Sequence, residues 1–250
     1  MTPVLLAFDT STEALAVALQ GPQGQRHTLQ GAGGALASVR LLPAVQELLD
    51  GAGVVLAQVD AMAFGCGPGA FTGLRTACAV AQGLAFGADK PVLPIDSLLI
   101  VAEDERVRLG EPAMLAVAVA MDARMGELYA ARYLWAQGRW QTVQPPGLWA
   151  PQAWWQQARE AAAGAGLPQA WAGSGLALVA RTAPSEDLAM ARHLAQAPAD
   201  CADRAAALLR LADQAWRAGD ALPAERALPV YLRDKVALTT AERQALKGGA

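Results

Sequence analysis

One stretch restricts the fold more than any other. Gly65-Cys66-Gly67-Pro68-Gly69-Ala70-Phe71-Thr72-Gly73 stands between a compact apolar run, Ala61 to Phe64, and a segment, Leu74 to Phe86, with no proline and almost no charge. That order is a buried strand turning through a glycine corner into a helix. The alternating glycines permit positive φ and close backbone approach, and Pro68 fixes the turn. Thr72 is placed to cap the helix. Such a corner is either an anion site at a helix N-terminus or a tight turn with no ligand. It is not a P-loop, because neither Lys-Ser nor Lys-Thr follows Gly73, and the spacing of Gly65, Gly67 and Gly69 is not GxGxxG.

The helix is the more informative half. Gly73, Ala77 and Ala81 recur four apart, so one face is lined with small residues, and only Arg75 and Gln82 are clearly polar. A helix apolar nearly all round is buried in its own domain or sits in an interface, and this one is too short to span a bilayer. A small-residue face admits a second helix closely, either from the same chain or from a partner.

Around this corner the chain reads as strands and helices in alternation. Val4 to Phe8 is a strand ending at Asp9. A polar turn, Thr10-Ser11-Thr12-Glu13, leads to a return strand over 14–19, and Gly21-Pro22-Gln23-Gly24 signals a hairpin into a third strand over 25–30. Leu36, Val39, Leu42, Val45, Leu48 and Leu49 predict an amphipathic helix over 35–50, with Pro43 marking a first turn or a kink. A strand over 91–95 and a helix over 98–109 capped by Ser97 follow. At Met114 the pattern restarts: an apolar strand runs to Met121, then Asp122, a turn, and a return strand over 127–135. Leu5 to Asp9 and Val117 to Asp122 are thus two copies of one unit, which predicts two similarly wound α/β halves facing one cleft. An aspartate at each strand end suits a metal-bound phosphate, or simply caps each turn.

The second half continues with a strand over 137–143, a break at Pro145-Pro146-Gly147, a helix over 151–163 carrying core residues Trp154 and Trp155, and a short strand over 170–172 ending in Gly173-Ser174-Gly175. Residues 201–218 read as helix, and 239–250 as a frayed or loosely helical tail.

The chemistry on offer is sparse. His27 and His193 are the only histidines, and neither HExxH nor GxSxG occurs. Cys66, Cys78 and Cys201 show no CxxC spacing, so a disulfide framework and a zinc site are both unexpected and a reducing cytoplasm fits. A net charge of -3 argues against this chain alone gripping a nucleic-acid backbone. No signal peptide and no run of membrane-spanning length is evident.

Four stretches together resemble one family: Ala7-Phe8-Asp9-Thr10-Ser11-Thr12; the glycine corner with Leu74-Arg75 and Ala81-Gln82-Gly83-Leu84-Ala85; Asp122-Ala123-Arg124-Met125-Gly126-Glu127-Leu128-Tyr129; and Pro229-Val230-Tyr231-Leu232-Arg233. They are similar to the TsaB (YeaZ) family, bacterial subunits for tRNA threonylcarbamoyladenosine synthesis. The resemblance implies an actin/Hsp70/sugar-kinase-like (ASKHA) fold: two related lobes, each a mixed sheet with flanking helices. The expected division is 1–109 for the first lobe, 110–235 for the second, whose last helix is free to cross back, and 236–250 for a tail.

The resemblance also implies a cytoplasmic, non-catalytic partner of a TsaD-type subunit, which transfers threonylcarbamoyl to the tRNA adenosine beside the anticodon. A TsaE-type ATPase is a further partner. ATP and magnesium are expected in those subunits and no cofactor in this one, with tRNA met only through the complex and no membrane involved. In the family the first two helices form a bundle with TsaD, or with a second copy of the subunit. Carried over, the partner-binding residues are Leu41, Val45, Phe71, Leu74, Arg75, Ala77, Cys78 and Ala81. Nucleotide-site candidates are Asp9, Thr10, Ser11, Gly67, Gly69 and Asp122. The chain departs from TsaD-like relatives, which carry paired metal-binding histidines on the first helix: Ala35-Leu36-Ala37-Ser38-Val39-Arg40 has none. It also has Cys66 where an arginine is common. The alternative is an active small-molecule phosphotransferase of the same fold, using Asp9 and Asp122 around magnesium-ATP.

Overall fold

The computed structural model describes residues 2–163, 169–182, 194 and 201–233. The first sheet has the order β3-β2-β1-β4-β5, from β1 (Leu5–Asp9), β2 (Ala14–Gln20), β3 (Arg26–Ala32), β4 (Ala61–Gly67) and β5 (Val92–Asp96). The second has the order β8-β7-β6-β9, from β6 (Leu115–Asp122), β7 (Leu128–Ala136), β8 (Arg139–Trp149) and β9 (Gln169–Ala172). The second order repeats the first four strands of the first, with β1 answering to β6 and β4 to β9, and β5 has no counterpart among the described residues. In each, the first strand pairs antiparallel with its return strand and parallel with the strand that enters the glycine corner. The duplication read from two short segments therefore extends to whole sheets.

Helices cover every sheet face. α1 (Ala37–Ala52) and α2 (Phe71–Ala88) pack on one side of the first sheet, against Leu6, Phe8, Val17, Met62 and Phe64. The alternate residues Leu5, Ala7, Ala61 and Ala63 point to the other side, as the two-residue period of a strand requires. There they meet Leu208, Leu209 and Leu211 of α6 (Arg204–Ala218). α3 (Ser97–Arg108) lies beside α6 and carries Leu98, Val101 and Ala102 to the second sheet. The outer face of that sheet is closed by α4 (Pro151–Ala163), whose Trp154 and Trp155 are buried, and by α5 (Leu176–Thr182). α3 and α6 thus form a shared middle layer, and α6, late in the sequence, completes the core of the first sheet.

Three local readings are corrected, and one of the two alternatives for Pro43 falls. α2 begins at Phe71, so Thr72 lies inside the first turn and the cap position is Ala70, which offers no side-chain bond. Asp96, not Ser97, caps α3, its carboxylate accepting from the Leu98 amide at 2.9 Å. Pro145-Pro146-Gly147 lies within β8 and does not end it. β8 is an edge strand paired only to β7, and the pairing shifts register between Gly147 and Gln144, so the two prolines sit in an irregularity where no regular ladder bond is asked of them. Pro43 lies inside α1, not in its first turn. His193 and the tail reading for 239–250 fall outside the described residues.

Candidate functional site

The strand ends of both lobes meet at a cleft of about 720 Å³. Its walls come from the β1–β2 turn, the glycine corner, the start of α3, the β6–β7 turn, Ser174, Arg204 and residues 230–233. Ser11, Gly69 and Asp122 line it as nucleotide-site candidates; Asp9, Thr10 and Gly67 do not.

Asp9 is turned inward and fully buried. Its Oδ1 accepts from the Ser11 amide at 2.6 Å, and its Oδ2 from the Ser11 hydroxyl at 3.1 Å and the Ser97 hydroxyl at 3.2 Å. A guanidinium closes the set: Arg204 Nη2 lies 3.3 Å from Asp9 Oδ2, 2.9 Å from Ser11 Oγ and 3.2 Å from the Ser97 carbonyl. Burial works most strongly against the Arg204 charge, but Asp9 and Cys201 together, through charge and hydrogen bonds, outweigh it and hold its pKa above the ordinary arginine value. Gly65 is glycine because of this site, since a Cβ there would stand 1.9 Å from Asp9 Oδ2.

A metal-bound phosphate needs a carboxylate with free lone pairs facing the cleft. Asp9 has its oxygens committed and a positive charge already beside it, so these residues do not fit the magnesium-ATP of the phosphotransferase alternative. Asp122 does face the cleft, but its Oδ1 accepts from the Arg124 amide at 2.7 Å, an ordinary turn bond. Among the described residues no three metal-ligating side chains converge.

The glycine corner is a packing device. A Cβ on Gly73 would lie 1.7 Å from the Thr10 carbonyl, and one on Gly69 2.5 Å from the Ser11 carbonyl. Thr10 Oγ1 donates to the Gly73 carbonyl at 2.7 Å and the Ala70 amide to the Ser11 carbonyl at 2.7 Å. The corner is thereby bolted to the β1–β2 turn. The second lobe repeats the device, with Gly173 and Gly175 against the Ala120 carbonyl.

The proposed partner-binding residues divide differently from expectation. Leu41, Val45, Leu74, Ala77, Cys78 and Ala81 are buried within this chain, so their side chains do not face a partner. The small row Gly73, Ala77 and Ala81 lets α2 sit down on its own domain. Phe71 and Arg75 are partly or fully exposed and engage Tyr231, with the Arg75 guanidinium 3.8 Å from the Phe71 ring centre. The faces of α1 and α2 that are free carry Val39 (66% exposed), Leu42 (49%) and Phe86 (79%), together with Ala79 and Gly83. Periodicity alone found the apolar helices but chose the inward face of α2. Exposed Val39 and Leu42 were visible only as members of the general stripe.

The cysteines are weak nucleophiles in this setting. Burial, reinforced by the carboxylates of Asp96 and Asp9, pushes the Cys66 thiol up to about 12, and burial pushes Cys201 up to about 11. No described helix is long and apolar enough to cross a membrane.

The sequence model of the family described as TsaD, tRNA N6-adenosine threonylcarbamoyltransferase, matches residues 35–241. The chain is 46% identical over 125 residues to the tRNA threonylcarbamoyladenosine biosynthesis protein TsaB of Haemophilus influenzae, covering 50% of this chain and 51% of that one. To the protein of the same name from Escherichia coli it is 33% identical over 243 residues, covering 93% of this chain and 96% of that one. Among solved structures, YeaZ from Pseudomonas aeruginosa matches with a TM-score of 0.72 at 37% identity, over 92% of this chain and 100% of that one. An uncharacterized protein with similarity to peptidase YEAZ, also from Pseudomonas aeruginosa, matches over the same shares with a TM-score of 0.74 at 38% identity.

Proposed function

The chain belongs to the TsaB (YeaZ) family of tRNA threonylcarbamoyladenosine biosynthesis proteins, and from that membership we propose that it acts as a non-catalytic scaffold subunit. Its partners are a TsaD-type subunit, which transfers threonylcarbamoyl to N6 of the tRNA adenosine adjacent to the anticodon, and a TsaE-type ATPase. The observation that carries the reading is the sealed Asp9: of the two strand-end carboxylates this one is paired with Arg204 and does not line the cleft, while Asp122, which does, is engaged in a turn bond from the Arg124 amide. The histidine-free start of α1 supports the same reading. ATP and magnesium then belong to the partner subunits, and tRNA is met through the complex.

Docking uses the exposed faces of α1 and α2, around Val39, Leu42 and Phe86. These are large apolar side chains on two helices that pack against one another, the kind of surface that becomes the core of an interface. In the absence of TsaD, a second copy of the chain covers the same faces.

The test is to mix the chain with the TsaD homologue of its own organism, measure the mass of the product by light scattering, and then assay threonylcarbamoyl transfer with each subunit omitted in turn. A stable one-to-one complex whose transfer activity needs this chain is the expected result. Separate species, together with substrate-dependent ADP release that Asp9→Ala abolishes, would replace the scaffold by the phosphotransferase.

A further inference from the structure

After α6 the chain runs back along the first lobe. Leu222 and Val92 exchange two backbone bonds of 2.9 and 2.8 Å. The carbonyl of buried Ala227 accepts from Gln82 Nε2 at 2.8 Å and Cys78 Sγ at 3.2 Å, both on α2. The Val230 amide donates to the Cys66 carbonyl at 2.7 Å, and the Val230 carbonyl sits so close over Gly67 that a Cβ there would approach to 2.6 Å. Tyr231 lies on Phe71, ring centres 5.0 Å apart, and its hydroxyl accepts from Arg75 Nε at 3.1 Å. Up to this point these bonds, among the described residues, are all to the first lobe. Two residues later Arg233 crosses over: its Nη2 donates to the Glu127 carboxylate and to the Arg124 carbonyl, on the turn between β6 and β7 of the second lobe.

The crossing lies at the mouth of the cleft, whose wall includes residues 230–233. A second link across the cleft, between Arg124 and Glu13, is 72% and 78% exposed, the kind of pair that contributes little. In the Arg233–Glu127 pair the guanidinium is 12% exposed and the carboxylate 41%, so its charge-assisted bond is the better shielded of the two. At the inner joint the lobes are fixed by Tyr133 donating to Asp96 at 2.6 Å and Trp140 donating to Glu103 at 2.9 Å. Among the described residues, a fixed inner joint with one half-shielded ion pair at the rim has the geometry of a hinge and a catch.

We propose that residues 227–233 are a clasp that holds the two lobes together over the cleft, anchored on α2 and β4 and caught on the second lobe by Arg233 with Glu127. The reading does not depend on the scaffold function. Its reporter is already in the chain, because Cys201 lines the cleft beside Arg204, whose Nη1 is 3.6 Å from its sulfur.

The experiment follows alkylation of Cys201 by iodoacetamide at mildly alkaline pH, read site by site by peptide mass spectrometry. It uses the full chain and its Arg233→Ala, Glu127→Ala and double variants. Losing a bond between charged groups favours the open state by about tenfold, so each single variant is expected to alkylate Cys201 about tenfold faster. The double variant should be no faster than either single one, and Arg233→Lys should lie between. Cys78, buried in α2, is the control expected to stay unchanged, while the urea transition should lose no more than the same tenfold in its folding equilibrium, about 1.4 kcal/mol. Unchanged Cys201 rates would overturn the clasp, and so would acceleration of Cys201 and Cys78 in parallel, which reads general loosening. Failure to bind a TsaD-type partner leaves this outcome untouched.

Discussion

The pair Asp9–Arg204 concentrates most of what is unusual about the site into two side chains. Both are buried, and breaking such a pair from one side leaves an uncompensated charge. Arg204→Met is therefore expected to cost about 3–5 kcal/mol in urea unfolding, with Asp9→Asn added to it recovering part of the loss. Equal destabilisation by the single and double variants would mean that Asp9 does not need its counter-ion. Asp9 itself was legible, because a carboxylate ending an apolar strand stands out in any reading of the chain. Arg204 was not, since it lies 195 positions away and its helix offers no local sign of which arginine turns inward. The cysteines carry a pH consequence. Cys66 is raised from 9.0 to about 12 by burial and by nearby carboxylates. The unfolded thiol therefore releases its proton first as pH rises, and stability that is complete below the unfolded value is lost on the way up to the folded one. The slope is about 1.4 kcal/mol per pH unit over that window. Cys66→Ala should remove this part of the alkaline slope while lowering stability at neutral pH by the small loss of packing, which denaturation at several pH values will separate.

At the scale of elements, α2 shows what periodicity delivers and what it leaves open. A row of small residues predicts close approach by something, and the approach is real: Gly73 meets the Thr10 carbonyl of its own lobe. The sequence is silent on the identity of the neighbour, because a strand turn and a partner helix ask for the same small side chains. The duplicated strand order was likewise legible in β1 and β6, where an apolar run ends in aspartate, whereas β3 and β8 were read as strands but, as edge strands of mixed polarity, carried no sign that one answers to the other. The outward faces give a clean contrast between folding and docking. Ala77→Glu puts an unpaired charge into the core and should unfold the chain, a cost of several kcal/mol. Phe86→Asp changes a side chain that is 79% exposed, so the fold should survive with an unaltered thermal midpoint. Its affinity for a TsaD-type partner should fall by about 30-fold or more, the loss of one interface hot spot of about 2 kcal/mol. Normal binding by folded Phe86→Asp would move the interface off this face.

At the scale of the molecule, the two lobes share their middle layer, and this makes the division at residue 109 a boundary of symmetry and not of folding. The first sheet is complete in strands by Asp96, yet one of its faces rests on α6. Leu208, Leu209 and Leu211 of α6 are buried there. Fully burying each such side chain contributes about 1.5–3 kcal/mol. The three together approach the whole net stability of an ordinary domain, about 5–15 kcal/mol. Without α6 the face formed by Leu5, Ala7, Leu93 and Ile95 is bare, and Asp9 loses Arg204 in the same stroke. Glu103 is affected too, because this buried carboxylate on α3 accepts from Arg210 of α6 at 2.8 Å. A fragment of residues 1–109 is therefore expected to show no cooperative urea transition and to bind a hydrophobic dye. The full chain should unfold in one step, with circular dichroism and tryptophan fluorescence coinciding. Adding residues 201–233 as a second fragment should restore a transition in proportion to its concentration. A cooperative transition for 1–109 alone would show that α1, α2 and one covered face of the sheet suffice, and that α6 was recruited to a lobe already able to fold.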